Sequence, residues 1–291
     1  MSALPTGAEP PAAGADQRSA AVRLPERLPE RLRVRLLARV LCPLAWLALQ
    51  LQLLLLGLMS AAWNLVALVL YPLLPRRTGL RLGRAAIAYG YRIFWRVAAL
   101  SGMIRLDADV LDALRDEPGL VIVANHPSLL DAVMLVARLP RSACIMKASL
   151  VRNPLLGPGA RLARYIRNDS AFGMVNCAVA DLRGGGQLVM FPEGTRTIAR
   201  ADSPLGAFHA SFTLIAKRAS APIQTVFIDT DSPYLGKGWP LWRLPPLPIR
   251  FAVRMGRRFE PPVNHQAACA EIEAYFTGAL HSAPPPQGPA P

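Results

Sequence analysis

His126 and Asp131 stand five positions apart in Asn125-His126-Pro127-Ser128-Leu129-Leu130-Asp131, directly after the apolar run Leu120-Val121-Ile122-Val123-Ala124. An imidazole with a carboxylate in reach is general-base chemistry. The carboxylate fixes the tautomer and offsets the positive charge that forms when the other ring nitrogen takes a proton. The spacing supplies a route for bringing the two together. The apolar run reads as a buried strand ending at His126, Pro127 forbids further ladder pairing, and Ser128 caps a helix starting near Leu129. Asp131 then falls in the first helical turn, from which its carboxylate curls back toward the ring. Ser128 is read as that cap rather than as a nucleophile.

A second constellation, Phe191-Pro192-Glu193-Gly194-Thr195-Arg196, follows the run Gln187-Leu188-Val189-Met190 in the same manner. Gly194 permits close backbone approach, Thr195 offers a hydroxyl and an amide, and Arg196 offers a fork of donors suited to phosphate oxygens. Taken alone the stretch also reads, with less weight, as a surface turn with its arginine in water. Both constellations lie at strand exits, the edge where open α/β sheets bind ligands, so the two loops are expected to face one site.

The elements that must position them follow from the hydropathy pattern. Beyond Arg84 short β-like runs alternate with longer helix-like ones, which predicts an α/β domain with a mixed, largely buried sheet flanked by helices. The expected strands are Leu120 to Ala124, Ala143 to Lys147, Gln187 to Phe191, Pro222 to Ile228 and Ile249 to Met255. Gly184-Gly185-Gly186 reads as a helix stop and a tight turn into the third of these. Gly157-Pro158-Gly159 lacks the pattern of a dinucleotide fingerprint and reads as a turn. Cys42, Cys144, Cys177 and Cys269 have no paired spacing and are expected to be buried thiols. The scattered histidines show no ligand spacing either, so neither a metal nor a cofactor is expected.

Of the 291 residues 52% are hydrophobic, and the excess is concentrated. No charged residue occurs between Arg39 and Arg76, a stretch longer than the roughly 20 residues of one membrane span. Seven arginines (Arg18, Arg23, Arg27, Arg31, Arg33, Arg35 and Arg39) precede it, and Arg76, Arg77, Arg81 and Arg84 follow. A single span would leave one cluster on the unfavoured side, so a hairpin interrupted at Pro43, Gln50, Gln52, Ser60 or Asn64 is expected, either spanning or dipping into one leaflet. The predicted organisation is a flexible basic tail with a possible amphipathic helix at 1–39, a membrane-associated helical hairpin at 40–75, the α/β domain at 76–281 and a disordered Pro-rich tail at 282–291. The net charge of +14 suits an anionic partner, although only three of the 33 basic residues are lysines and a general arginine bias accounts for the same total.

Together, Asn-His-x-x-x-x-Asp and Phe-Pro-Glu-Gly-Thr-Arg, in this order and at this separation, resemble the 1-acylglycerol-3-phosphate O-acyltransferase family, the PlsC-like lysophospholipid acyltransferases. The resemblance covers residues 85 to 262. It implies a glycerolipid acyltransferase-like fold and transfer of a fatty acyl group from acyl-CoA or an acyl carrier protein (acyl-ACP) to a lysolipid hydroxyl, with 1-acylglycerol-3-phosphate giving phosphatidic acid. It implies His126 as general base and Asp131 as its orienting partner, with Glu193, Gly194, Thr195 and Arg196 holding the acceptor's phosphate end. Lys147, Pro154, Gly157 and Arg167 resemble a further family block, which makes Lys147 and Arg167 candidate anion contacts beside a solvated salt-bridging role. The implied partners are membrane lipids, a lysophospholipid and the acyl donor, without nucleic acid, and the implied place is the cytoplasmic face of the inner membrane. Two departures bear on the acceptor. Phe208-His209-Ala210-Ser211 stands where the family commonly has Phe-Lys-x-Gly, and Pro222-Ile223-Gln224-Thr225 where it has Pro-Ile-Val-Pro. They leave room for a lyso-aminolipid such as lyso-ornithine lipid, and a non-catalytic lipid-binding protein is the alternative of another class.

Overall fold

The computed structural model describes residues 30–153, 157–198 and 205–282, with 30–40 described in backbone only. The expected basic tail up to Pro29 and the Pro-rich tail from Ala283 lie outside the described residues. By its internal contacts the chain divides into Met1–Leu41 and Cys42–Pro291. The first contributes the start of helix α1 (Glu30–Leu73); everything below concerns the second.

Strand β2 (Leu120–Ala124) is buried along its whole length, and β5 (Gln187–Met190) likewise. Near-continuous apolar runs of this kind suit strands covered on both faces. Seven strands form one sheet in the order β1-β7-β6-β2-β5-β3-β4, where β1 is Ile104–Asp107, β3 Ser142–Lys147, β4 Ile166–Asn168, β6 Ile223–Thr230 and β7 Ile249–Phe259. Strands β6, β2, β5, β3 and β4 run parallel, so their carboxyl ends share one edge. Strand β7 is antiparallel to β6, and β1 pairs with β7, which makes the sheet mixed as expected. The short β1 and β4 escape the sequence pattern because four and three residues carry too little periodicity.

Alternation along β2 sorts the core into two layers. Leu120, Ile122 and Ala124 pack with Phe94, Trp95 and Met134 on the side of α2 (Arg76–Leu100) and α3 (Leu130–Arg138). Val121 and Val123 pack with Met174, Phe212 and Phe276 on the side of α6 (Ala171–Arg183), α7 (Ser211–Ala219) and α8 (His265–Ser282). Short helices α4 (Ala148–Arg152) and α5 (Gly157–Leu162) join β3 to β4, so Gly157-Pro158-Gly159 opens a helix instead of forming a turn. At Gly83 a Cβ would lie 2.6 Å from the Ala163 nitrogen, so glycine is what lets α2 approach the end of α5.

Three expectations are corrected. First, 40–75 is not a hairpin: α1 runs unbroken to Leu73 and the chain turns only at Leu74-Pro75, after which α2 folds back. The polar residues read as interruptions are helix-compatible, and they sit on the face that meets the domain. Gln50 Nε2 donates to the Leu241 carbonyl at 2.7 Å, Gln52 Nε2 to Ser101 Oγ at 2.8 Å, and Asn64 Oδ1 accepts from the Gly159 N–H at 2.8 Å. Second, Arg84 is not a free flanking cation. It is 3% exposed and donates to the Ala163 and Arg141 carbonyls and to Asp181 Oδ1, the last at 2.8 Å. Third, Cys42 and Cys177 are exposed, whereas Cys269 is buried and burial pushes the Cys144 thiol up to about 12.

Candidate active site

The His126 loop begins where β2 ends, and Asn125 makes the break. Its side chain, 4% exposed, accepts from the Ile228 N–H and donates to the Ile228 carbonyl, both at 2.8 Å. This two-point clasp on β6 replaces ladder pairing and turns the chain outward. Ser128 lies one residue before Leu129, the N-cap of α3, and supports the helix start from there. Its Oγ accepts from the Leu130 N–H at 3.3 Å as α3 starts, and the hydroxyl donates to the Tyr234 carbonyl at 3.0 Å. Fully buried and committed as a donor, it is not placed to be a nucleophile.

Asp131 occupies the first turn of α3, where the helix dipole favours an anion. Its Oδ2 accepts from the Ser128 N–H at 2.7 Å and lies 2.9 Å from His126 Nδ1. With a carboxylate accepting there, Nδ1 carries the ring proton and Nε2 presents a lone pair. Burial pushes the Asp131 carboxyl above the ordinary value, and the charge of Glu193 adds to this, while the hydrogen bond and charge of His126 and the Ser128 N–H oppose it. Phe191 stacks on the imidazole with ring centres 4.0 Å apart and planes 16° apart, which holds the ring's orientation from one face.

Strands β2 and β5 are neighbours, so the second loop leaves the sheet beside the first. Glu193 joins them, in a role different from the expected one. It is 5% exposed; Oε1 accepts from the His126 N–H at 3.3 Å and the Thr197 hydroxyl at 2.5 Å, and Oε2 from the Gly206 N–H at 2.9 Å. A buried carboxylate must find donors, and both oxygens have found them inside the protein. Glu193 is a tie between loops and not a contact for an anionic ligand. Thr197, which the sequence pattern does not single out, completes it: its Oγ1 accepts from the His126 N–H at 2.9 Å and its N–H donates to the His126 carbonyl at 2.7 Å.

Gly194 and Thr195 form an exposed rim beside this tie. Gly194 has φ +65, and a Cβ there would lie 3.1 Å from His209 Cδ2, so the exposed His209 ring rests against the glycine. Arg196 is half-buried, and its Nη1 donates to the Leu235 and Gly236 carbonyls at 2.8 Å each, which fixes the guanidinium in the loop after β6. That loop carries no sequence signal, because it acts through backbone carbonyls.

Lys147 and Arg167 are not brought into this cluster. Strand β4 lies three strands from β2, about 14 Å at the usual spacing. Met146 pairs with Arg167, so Lys147 points to the opposite face of the sheet from Arg167. Arg167 is exposed and meets Asp169 at 3.2 Å, the solvated ion pair that was the other reading of its charge. Pro154 lies outside the described residues. Gln224 and Thr225 sit inside the sheet, where they donate to the Gly256 and Arg257 carbonyls at 2.7 Å each beside an irregularity between β6 and β7. The departure at Thr225 therefore concerns sheet pairing and not the site. Among the described residues no group of three or more His, Cys, Asp or Glu side chains could hold a metal ion.

Comparison with known proteins gives a family match and a likeness of fold. Residues 106–229 match the family model described as Acyltransferase, an interval that contains both loops and the strands that carry them. No curated protein matches the chain. Among solved structures, the 1-acyl-sn-glycerophosphate (LPA) acyltransferase PlsC from Thermotoga maritima is similar in fold, with a TM-score of 0.51 and 19% identity, over 82% of this chain and 100% of that one.

Proposed function

We propose that this chain, whose residues 106–229 match the family model described as Acyltransferase, is a PlsC-like O-acyltransferase that moves a fatty acyl group from acyl-CoA or acyl-ACP to the hydroxyl of a lysophospholipid, with 1-acylglycerol-3-phosphate as acceptor. The observation that carries the reading is the 2.9 Å contact between His126 Nδ1 and the buried Asp131. In this reading His126 Nε2 takes the proton from the acceptor hydroxyl as its oxygen attacks the thioester carbonyl. Asp131 holds Nδ1–H and offsets the imidazolium charge, a combination that contributes about 100- to 10,000-fold. The tetrahedral intermediate then collapses, the C–S bond breaks, and the proton on Nε2 leaves with the thiolate. No covalent enzyme intermediate is needed, because the thioester is already activated. The acceptor's phosphate end meets the rim of Gly194 and Thr195, with Arg196 behind it.

Membrane association rests on α1, whose segment Leu41–Leu73 is long and apolar enough to cross a bilayer. Its 33 residues would extend about 50 Å, against about 30 Å of hydrocarbon. One face, including Leu49, Gln52, Asn64 and Ala67, is buried against the domain, while Leu44, Leu47, Leu51, Leu54, Leu58, Leu65 and Leu68 form an exposed stripe. A helix docked along its length in this way suits lying in one leaflet, with the domain on its cytoplasmic side at the inner membrane and the lysolipid arriving laterally.

The test is release of free thiol from acyl-CoA with lysophosphatidic acid by the purified chain and by His126→Ala. Unchanged release by the variant overturns the mechanism. His209, at the rim where the resemblance expects lysine, favours a lyso-aminolipid acceptor as a second reading, and a headgroup screen with the wild type separates the two.

A further inference from the structure

Between β6 and β7 the chain makes an excursion over residues 231–248 that touches both the catalytic loop and α1. At one end its carbonyls hold the site. Tyr234 accepts from the Ser128 hydroxyl at 3.0 Å, Leu235 from the Leu129 N–H at 3.1 Å, and Leu235 and Gly236 together from Arg196 Nη1. At the other end Leu241 accepts from Gln50 Nε2 at 2.7 Å and Trp242 from the Trp46 indole N–H at 2.9 Å. Trp239 lies between them, half-buried against the core, with the Arg243 guanidinium 4.8 Å above its ring.

The side chains at the tip point the other way. Leu241 is 54% and Trp242 75% exposed, and Lys237 and Arg243 are exposed beside them. Because Trp46 and Gln50 fasten this tip to α1, it adjoins the exposed stripe at Leu44, Leu47 and Leu51. An exposed indole next to an apolar stripe, flanked by cations, has the composition of a segment at the headgroup level of a bilayer. The cations favour anionic lipid.

We propose that the Leu241–Trp242 tip is a second membrane-contact element, seated at the headgroup–acyl boundary of an anionic bilayer. The excursion behind it links that seating to the catalytic loop through the carbonyls of Tyr234, Leu235 and Gly236. The inference rests on the reading of α1 as membrane-associated and extends it to a surface on the catalytic domain itself.

The experiment uses the full chain and the double variant Leu241→Ser with Trp242→Ser. Each is sedimented with vesicles of phosphatidylcholine alone or mixed with phosphatidylglycerol, and thiol release is followed with the acceptor in vesicles or in detergent micelles. The expected result is a roughly tenfold weaker partition of the variant to the mixed vesicles. Turnover on vesicle-borne acceptor falls with it, while turnover in micelles is unchanged. Equal partition and turnover overturn the proposal. So does an equal loss in vesicles and micelles, or unchanged partition with a raised KM for acyl-ACP, which would make the tip a protein-docking surface. A wild type that sediments with neither vesicle overturns the reading of α1, and the proposal with it.

Discussion

Replacing Glu193 separates a tie between loops from a contact to the substrate. In Glu193→Ala the Thr197 hydroxyl and the Gly206 N–H lose their carboxylate partner, while the His126 N–H keeps Thr197 Oγ1 at 2.9 Å. Hydrogen bonds to a charged group contribute about 1.5–3 kcal/mol each, so the two together amount to about 3–6 kcal/mol. Relief of one buried charge offsets part of this, which leaves about 3 kcal/mol. For a domain of this size that lowers Tm by about 6–12 °C. Glu193→Gln keeps one acceptor but turns an amide N–H₂ toward one of the donors, and about half the loss is expected. The catalytic effect runs through His126, whose backbone the tie anchors. A displacement of about 1 Å lowers kcat about 100-fold, with the KM for acceptor unchanged because Glu193 does not reach the rim. Thermal unfolding and thiol release across an acceptor series measure all of this. A variant with wild-type Tm and kcat but a raised acceptor KM refutes the reasoning and restores Glu193 as a ligand.

His126→Ala is expected to lower kcat by about 100- to 10,000-fold, as read by thiol release, and to cost about 1–3 kcal/mol in thermal unfolding because the buried Asp131 loses its ring partner. Asp131→Asn tests the buried carboxylate by pH. Because burial raises its folded-state value above the ordinary 3.8, the folded protein binds this proton more tightly than the unfolded chain does. The cost of the charge is therefore fully present above the raised value and relieved as pH falls toward 3.8, so wild type gains stability relative to Asp131→Asn on acidification, measured by urea unfolding. Arg84→Met leaves Asp181, 14% exposed, without its cation and is expected to lose about 3–5 kcal/mol in the same assay. Its acceptor KM stays that of wild type. Gly194→Ala, at φ +65, is expected to destabilise by about 1–2 kcal/mol, and a variant as stable as wild type would show that the loop tolerates another backbone conformation.

Five of the seven strands, the helix start that holds Asp131 and the break after β2 are legible in the sequence, because each depends on periodicity or turn chemistry within a few residues. That two strand exits face one site also follows from sequence, since parallel strands put their carboxyl ends on one edge. What escaped it is where polar side chains turn. Glu193 enters as a ligand contact only through the family resemblance, whereas its role in the fold depends on the His126 N–H, 67 residues away. Arg196 was read as a phosphate fork, and its Nη1 is held by backbone carbonyls 39 and 40 residues on, which have no side-chain signature. Gln50, Gln52 and Asn64 looked like breaks in a membrane hairpin until the domain supplied partners that let one helix run through. The sequence by itself determined the elements and the His126–Asp131 pair, because hydropathy period and local capping act over one or two turns. Tertiary structure alone decided which polar groups stay available for chemistry, because a buried donor or acceptor takes whatever partner the fold brings to it.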